Sequence, residues 1–435
     1  VEVDEQQVNL TRFSLFFPER RDFFTENSGV FNFGDIGERN YRSGSSLRDF
    51  TLFHSRRIGL QNGQEVPIVG GGRLTGRAGG FEVGAISMQT RSALGLPEEN
   101  FSVLRAKRTV EGFGDVGAIV VNRQSTDGTG TYNRTAGFEA NLAPSRYLRI
   151  NSYLATVDDS ELSGGSAWAG RLWAGWRDNF WNVSAGVKHV GDAFVPRVGF
   201  VRRGGVRNGY ATVGVHHRPA APWLNEINPF VEVDYVSDLN GRLLTRVRTA
   251  SLDVGFRDGS SLGADLIDNF ERLDRPFSVL ADAVVPAGDY AFREVGVSAG
   301  TSAGRALSGR ARLSTGGFFN GDRTALSLSG QWRASYRLSL DGSAQRNKIS
   351  IPGAEDFDAD VYGGRLTLGA STTLFASAFV QYNSATEDLV TNLRLNYIHA
   401  PLSDLFVVYT ERRNQAGIRP LERLLSLKVT KALAF

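Results

Sequence analysis

The segment "WAGRLWAGWR", from Trp168 to Arg177, decides the fold because two kinds of side chain alternate along it. A period of two residues indicates a β-strand with one apolar and one polar face. Trp168 and Trp176 share the apolar face, roughly 26 Å apart along a strand, or about 20 Å along a membrane normal at a tilt of about 40°. The segment therefore has the length and the aromatic ends of a membrane-crossing strand. Gly170, Leu172 and Ala174 lie between the tryptophans on that face, while Arg171 and Arg177 lie on the other.

The same alternation recurs along most of the chain, for example in residues 180–190, 324–333, 335–346 and 372–384. These segments run about ten to fourteen residues, roughly twice the usual length of strands in soluble sheets, and a tilted strand of about nine to eleven residues crosses a bilayer. Counting them predicts about 22 strands, with a range of about 20 to 24. The first is assigned to residues 52–60, and residues 193–204 are the weakest stretch of the assignment. The predicted fold is all-β: a transmembrane antiparallel up-and-down β-barrel, with a soluble sandwich as the alternative.

Composition excludes several other classes of protein. The chain of 435 residues contains no cysteine, so neither a disulfide nor a thiolate metal site can form. Its net charge of +3 gives no reason to expect a nucleic-acid partner. No run of about eighteen apolar residues is present, which excludes a membrane-spanning helix. No signal peptide precedes the first strand, so we expect the sequence to be a mature or truncated form.

The C-terminal stretch "SLKVTKALAF", residues 426–435, also alternates and ends on an aromatic residue. An unpaired strand edge in hydrocarbon costs several kcal/mol for each unsatisfied backbone group, so the last strand of a barrel must pair. The pattern resembles the signal by which the barrel-assembly machinery selects its clients, and that machinery is an expected partner. If both termini lie in the periplasm, the number of strands should be even. The predicted assembly signal consists of Leu427, Val429, Leu433 and Phe435.

The first fifty residues break the two-residue pattern. They contain paired aromatic residues next to a charged cluster and lack a clean period, so they are too aromatic for a linker. We predict that residues 1–50 form a plug in the lumen or a cap at its periplasmic mouth, and that residues 51–435 form the barrel. The plug candidates are Phe16, Phe17, Glu19, Arg20, Arg21, Phe23, Phe24 and Glu26, whose charged members are expected to pair with the wall.

Four long motifs carry a resemblance to a known family: residues 8–34 "VNLTRFSLFFPERRDFFTENSGVFNFG", 52–60 "LFHSRRIGL", 66–90 "VPIVGGGRLTGRAGGFEVGAISMQT" and 97–123 "PEENFSVLRAKRTVEGFGDVGAIVVNR". They resemble the spine of a family of outer-membrane β-barrels of unknown function. The resemblance covers nearly the whole chain from Val8 onward and implies a barrel in the outer membrane of a diderm bacterium. It implies no substrate and no catalytic residue. Members of the family often carry a carbohydrate-binding-like module of family nine ahead of the barrel. The sequence starts without it, so we expect that the module was cleaved, is disordered or absent here, or is lacking in this member.

Motifs for catalysis or metal binding are weak. His54, His189, His216, His217 and His399 are scattered, and neighbouring residues of one strand point to opposite faces. "GGGRLTG" at residues 70–76 lacks the Lys-Ser/Thr of a phosphate-binding loop. "EDFDADVY" at residues 355–362 lacks the glycine and the closing glutamate of a calcium loop, and a solvated loop is expected there. We therefore predict that the protein is not an enzyme and has no cofactor and no metal.

The polar face of the strands is rich in arginine, since all but five of the 49 basic residues are arginines. Rings of arginine in a pore favour anions, whereas arginines paired with carboxylates such as Asp341 and Glu139 would brace the wall. Two functions remain open. The first is a gated or plugged channel for small solutes, with anions and saccharides as candidates; the second is a structural barrel that anchors a partner in the cell envelope. The predicted lumen-lining residues are Arg171, Arg177, Arg333, Arg337, Arg365 and Arg394.

Overall fold

The computed structural model describes residues 4–34, 50–61, 64–93, 95–280, 283–401, 403–414 and 421–431. Three two-residue strands come first: β1 (Phe50–Thr51), β2 (Leu60–Gln61) and β3 (Gln64–Glu65). Long strands follow: β4 (Ile68–Ala78), β5 (Phe81–Thr90), β6 (Glu99–Val110), β7 (Gly114–Ser125), β8 (Tyr132–Leu142), β9 (Leu148–Asp159), β10 (Trp168–Arg177) and β11 (Trp181–Val190). After the short β12 (Phe200–Val201) come β13 (Val206–Val215), β14 (Leu224–Asp238), β15 (Leu243–Phe256) and β16 (Ser261–Leu273).

The remaining strands complete the sheet. Two short strands, β17 (Phe277–Leu280) and β18 (Ala283–Val285), pair with each other. They are followed by β19 (Gly288–Gly300), β20 (Leu307–Phe318), β21 (Gly321–Arg333), β22 (Leu338–Ser350), β23 (Phe357–Gly369), β24 (Leu374–Asn383), β25 (Asp388–Ala400), β26 (Ser403–Asn414) and β27 (Glu422–Val429). Within the described residues, helical structure is limited to α1 (Asp22–Thr25) and to 3-10 turns at Ser28–Phe31 and Ser55–Arg57.

The long strands form one closed up-and-down barrel in which each strand lies beside its neighbours in the sequence. Within the described residues the barrel has 21 strands, which is inside the predicted range of about 20 to 24. The fold prediction is therefore confirmed. The count is odd, whereas an even count was expected for two termini on the same side of the membrane. No helix of the described residues is long and apolar enough to cross a membrane.

One predicted strand is not a barrel strand, and residues 193–204, which were not assigned to a strand, do not form one in the barrel either. The strand expected at residues 52–60 is a 3-10 turn flanked by short strands, because Leu52 and Ile58 are completely buried and pack inward. This segment accounts for the difference between 22 and 21 strands. Residues 193–204 likewise pack inward through Phe194 and Val198, and only β12 is extended there, paired with β1.

The chain divides into two compact units. The first unit comprises Val1–Arg12, His217–Pro229 and Thr249–Phe435, and the second comprises Phe13–His216 and Phe230–Arg248. Each has its own cluster of buried apolar residues. In the first unit this cluster includes Leu10 and the β17–β18 hairpin, which pack against Phe318, Ile349 and Ile351.

One face of the long strands is apolar and exposed in both units. In β10, Trp168, Leu172 and Trp176 are 44, 55 and 41% exposed, while Trp173 on the opposite face is 3% exposed. Large contiguous apolar surfaces are rare on soluble monomers and mark membrane or protein contacts. Because the strands also have membrane-crossing lengths, this outer face is suited to lipid. Other exposed apolar residues of the second unit include Leu104, Val120, Phe138, Leu154 and Val187. Those of the first unit include Val295, Leu313, Leu328, Leu340, Leu366 and Leu393.

Candidate functional site

The inner side of the second unit is filled by two parts of the chain that do not belong to the wall. We call residues 13–34 and 50–61 the inner segment and residues 191–205 the inner loop. Their buried apolar side chains form one cluster with inward-facing residues of the wall, among them Ile86, Val103, Ile119 and Tyr153. Burying such side chains contributes about 1.5–3 kcal/mol each. The inner segment and inner loop contribute Phe24, Phe31, Phe33, Phe50, Leu52, Ile58, Phe194 and Val198.

Two wall glycines make room for aromatic rings of the inner segment. A Cβ added at Gly84 of β5 would lie 2.7 Å from Phe31, and one at Gly137 of β8 would lie 2.6 Å from Phe33 and 2.5 Å from Leu52. Real side chains do not approach this closely. Glycine at these strand positions therefore allows the inner segment to lie directly against the wall backbone.

A buried ion pair holds the end of the inner segment to the wall. Arg105 of β6 pairs with Glu139 of β8, and their side chains are 1 and 0% exposed. The backbone N–H of Gly34 donates to Glu139 Oε2 at 3.0 Å, and Arg105 Nη2 donates to the carbonyl of Asn32 at 3.1 Å. Both charged groups thus bind each other and the inner-segment backbone. Gly117 of β7 lies between them, where a Cβ would be 2.4 Å from Arg105 Nη1.

Glu19 joins the two parts of the inner segment. Its Oε2 accepts hydrogen bonds from Arg21 Nη2 at 2.7 Å and from Ser55 Oγ at 2.6 Å, and Arg21 also donates to the carbonyls of Ser55 and Ile58. Burial alone would raise the pKa of Glu19, but the hydrogen bonds from Arg21 and Ser55 outweigh it and lower the pKa to about 2. The carboxylate is therefore charged at neutral pH.

His54 lies among aromatic residues next to this cluster. Its ring centroid is 4.8 Å from that of Phe16, which in turn is 5.1 Å from Phe200 of the inner loop. Burial, together with the positive charge of Arg57, lowers the pKa of His54 to about 4. His54 is therefore neutral at pH 7 and behaves there as part of the apolar packing.

The other plug candidates lie in the same segment. Phe24 is 6% exposed and packs under the guanidinium of Arg21, whereas Phe23 and Phe16 are about 40% exposed. Glu26 pairs with Arg73 of the wall strand β4 at 2.7 Å, and Arg73 also lies over Phe23. Thus Glu26 contacts the wall, while Glu19 pairs within the segment. Phe17 lies under Arg56, and the backbone N–H of Arg20 donates to Glu19.

The six arginines predicted to line the lumen lie in both units. In the second unit, Arg171 shares the inward face of β10 with the buried Trp173, and its guanidinium carbon lies 6.0 Å from the indole centroid. Arg177 lies on the same face at the end of β10, where its backbone N–H donates to the carbonyl of Tyr147. Both positions follow from the alternation that the sequence shows.

In the first unit, Arg365 Nη2 lies 3.4 Å from Glu5 Oε1, and its guanidinium also lies over Phe379. Arg333 Nη2 donates to the carbonyl of Arg305 at 2.9 Å. Arg394 lies over the ring of Phe406. Arg337 lies in the turn before β22, stacked on Tyr336. Each of these four arginines therefore contacts a carbonyl, a carboxylate or an aromatic ring.

The sequence analysis missed a recurring ion pair on the inward face. Arg312 of β20 forms two hydrogen bonds with Asp265 of β16, at 2.6 and 2.9 Å, and passes Gly296 of β19, where a Cβ would be 2.5 Å from Arg312. Arg323 and Glu294 form a pair at 2.5 Å. Gly316 of β20, the strand between β19 and β21, is paired in register with both Glu294 and Arg323. Together with Arg105 and Glu139, these pairs show an arginine reaching over a glycine to an acid two strands away.

Part of the inward face of the first unit is polar and open to solvent. Ser327 and Ser329 of β21 and Ser343 of β22 are all exposed on this face. On the opposite face, Leu328 and Leu340 are 43 and 46% exposed. Asp341, considered as a bracing partner of the arginines, accepts a hydrogen bond from Gln331 at 2.7 Å. This section of wall is therefore polar and accessible on its inward face and apolar on its outward face.

The remaining candidate residues have structural surroundings. Leu427 and Val429 of β27 are 70 and 64% exposed and pair with β26, while Leu433 and Phe435 lie outside the described residues. Asp358 and Asp360 lie in β23, where Arg346 pairs with both, and not in the solvated loop that was expected. Within the described residues, no three His, Asp or Glu side chains cluster so as to hold a metal ion.

Comparisons with known proteins support the fold. No protein-family model matches the chain, and no curated protein sequence matches it. Among solved structures, the siderophore receptor PirA from Pseudomonas aeruginosa is similar with a TM-score of 0.51 at 9% identity, covering 77% of this chain and 72% of that chain. The ferric-catecholate import receptor Fiu from E. coli K12 aligns with a TM-score of 0.31 at 7% identity, covering 80% and 71%.

This chain is a β-barrel. At 9% identity the likeness to PirA establishes the fold alone. The resemblance to the family of unknown function, which rests on residues 8–123, stays a prediction.

Proposed function

We propose that the protein is an outer-membrane barrel of a diderm bacterium that passes small polar solutes, with the inner segment and the inner loop acting as an internal plug. The observation that supports this most is the polar, accessible inward face of β21 and β22, where Ser327, Ser329 and Ser343 are exposed. A barrel that serves only as a membrane anchor does not require a polar, solvent-accessible inward face. Outer-membrane lipid and the assembly machinery are the partners that such a barrel requires.

A second function is favoured by a different observation. The inner side of the second unit is packed with apolar side chains, as expected of a structural barrel that anchors a partner in the envelope. PirA is named as a siderophore receptor, and the likeness of its fold to this chain is in line with transport. We therefore favour transport, with anions as the first solute class to test.

The two proposed functions predict different effects of a bulky side chain on the polar inward face of β21. We expect Ser329→Trp to lower the single-channel current in planar bilayers, because the indole projects into the hydrated side of β21. The matched control is Leu328→Trp, which places the same ring on the outward face, where lipid is expected. Equal currents in the two variants and the parent protein would contradict transport along this wall and leave the anchor as the better account.

The plug has its own test. Deleting residues 13–45 should raise the current, because it removes aromatic residues that fill the second unit. An unchanged current would show that the inner segment does not obstruct the pore.

A further inference from the structure

The second unit contains a cavity of about 550 Å³ beside the plug. It lies between the turn at Ser55–Arg57, the inner loop, and the adjoining ends of β6 and β7. Sites for small molecules usually have volumes of about 300–1,000 Å³. Its apolar lining includes Leu60, Phe101 and Phe194, so the cavity offers both a hydrophobic surface and charged groups.

Most charged groups that line the cavity already have partners. Arg123 pairs with Glu99 at 2.5 Å, and Arg197 pairs with Asp159 at 2.6 Å and with Glu161 at 2.6 Å. These contacts neutralise the two arginines and hold them in place.

The carboxylate of Asp192, which also lines the cavity, is occupied by backbone groups. Its Oδ1 accepts hydrogen bonds from the N–H groups of Ser166 and Ala193, at 2.7 and 3.1 Å. Neither Asp192 nor the paired acids of the lining are therefore directed at a cationic ligand.

Arg57 differs from the other two arginines. Its Nε donates to the carbonyl of Gly199 at 3.3 Å, and the side chain is exposed towards the cavity that it lines. No described carboxylate forms an ion pair with it. A guanidinium that is held by one backbone carbonyl has N–H donors left for a ligand, and such donors bind carboxylate and phosphate oxygens strongly.

We propose that this cavity binds a small organic anion, with its acid group on Arg57 and its apolar body against Leu60 and Val195. This inference rests on the proposed transport function, since it names the solute class, but binding can be measured without transport. A saccharide lacks the charge that would pair with Arg57.

The test uses the full-length protein in detergent and isothermal titration calorimetry, with empty micelles subtracted. The probes are two acids, benzoate and hexanoate, each compared with its neutral amide and, for benzoate, with the cation benzamidine. We expect at least one acid to bind about tenfold or more tightly than its amide, because one charge-assisted contact contributes about 1.5 kcal/mol or more. Benzamidine should not bind.

Three variants locate the contact. Arg57→Gln should remove the preference for the acid, and Arg57→Lys should retain part of it. Arg56→Gln is the matched control, because Arg56 neighbours Arg57 but lies over Phe17 and does not line the cavity. Circular dichroism checks that each variant is folded.

The inference is overturned if no acid binds better than its amide, or if Arg57→Gln keeps the preference. These results would leave the transport proposal standing if Ser329→Trp still lowers the current. Conversely, acid binding that depends on Arg57, with a current that does not respond to Ser329→Trp, would support the cavity and contradict transport along the polar inward face of β21.

Discussion

Arg105 and Glu139 form an ion pair across the strand between them, and both side chains are almost completely buried. The same carboxylate accepts the backbone N–H of Gly34, and the same guanidinium donates to the carbonyl of Asn32. One charge pair of the wall therefore fixes two backbone groups of the inner segment. Because burial makes an unpaired charge costly, the pair and the inner segment stabilise each other.

Glu139→Leu should detach the end of the inner segment from the wall. The substitution leaves Arg105 buried without its partner, which costs about 3–5 kcal/mol. We expect limited proteolysis to cleave residues 13–34 much faster while the barrel strands stay intact, as judged by circular dichroism. The control is Asp115→Asn, which breaks the partly exposed pair with Lys107 at 3.3 Å and should cost at most about 1 kcal/mol. Similar cleavage of both variants would show that the pair does not hold the segment.

Gly137→Val should loosen the inner segment by steric means alone. The new Cβ would lie within 2.6 Å of Phe33 and Leu52, and overpacking of this kind costs about 1–3 kcal/mol. We expect a higher single-channel current. Gly209→Val is the matched control, since a Cβ at Gly209 of β13 has no heavy atom within 4 Å. A current unchanged by Gly137→Val would mean that these rings can shift without opening a path.

Acidification should loosen the inner segment in two stages. The pKa of His54 is about 4 in the fold against 6.5 ordinarily, so the unfolded state binds the proton more readily than the folded state. Stability is therefore unaffected by His54 above pH 6.5 and decreases as the pH falls from 6.5 towards 4. The pKa of Glu19 is about 2 against 4.5, so its contribution is present above pH 4.5 and is lost as the pH falls towards 2.

A spin label at the exposed Thr25 can report this loosening, because the chain has no other cysteine. We expect the label of a Thr25→Cys variant to become more mobile as the pH falls from 6.5 to 4. Adding His54→Gln should remove that first stage and leave the change below pH 4.5. A spectrum that stays constant from pH 7 to pH 3 would contradict the assignment of both groups.

The alternation of apolar and polar residues predicted the barrel strands well because it depends only on residues within each strand. Trp168, Leu172 and Trp176 lie on the exposed apolar face of β10 as expected, and each of the 21 barrel strands overlaps a predicted segment. The same signal gave the wrong result at residues 52–60, since a buried inner segment and a lipid-facing strand both place apolar residues at intervals. Burial of Leu52 against Gly137 in the folded structure separates the two cases.

The partners of charged residues were harder to predict than the strands. Arg105 and Glu139 are 34 positions apart, and their contact depends on the registers of β6, β7 and β8. A shift of one residue in either register would turn one of the two side chains to the other face. Arg57 lies in a turn, where side chains do not alternate with a fixed period, so the sequence did not indicate that it lines the cavity.

The central claim is that the outward face of each long strand meets lipid while the inward face of β21 meets water, and cysteine scanning of β21 tests it most directly. Single cysteines from residue 325 to 332 would be labelled with a charged, membrane-impermeant maleimide in liposomes. We predict labelling at Ser327, Ser329 and Gln331, and protection at Leu326, Leu328 and Trp332. Uniform labelling of both sets, or labelling of the leucines alone, would contradict the account.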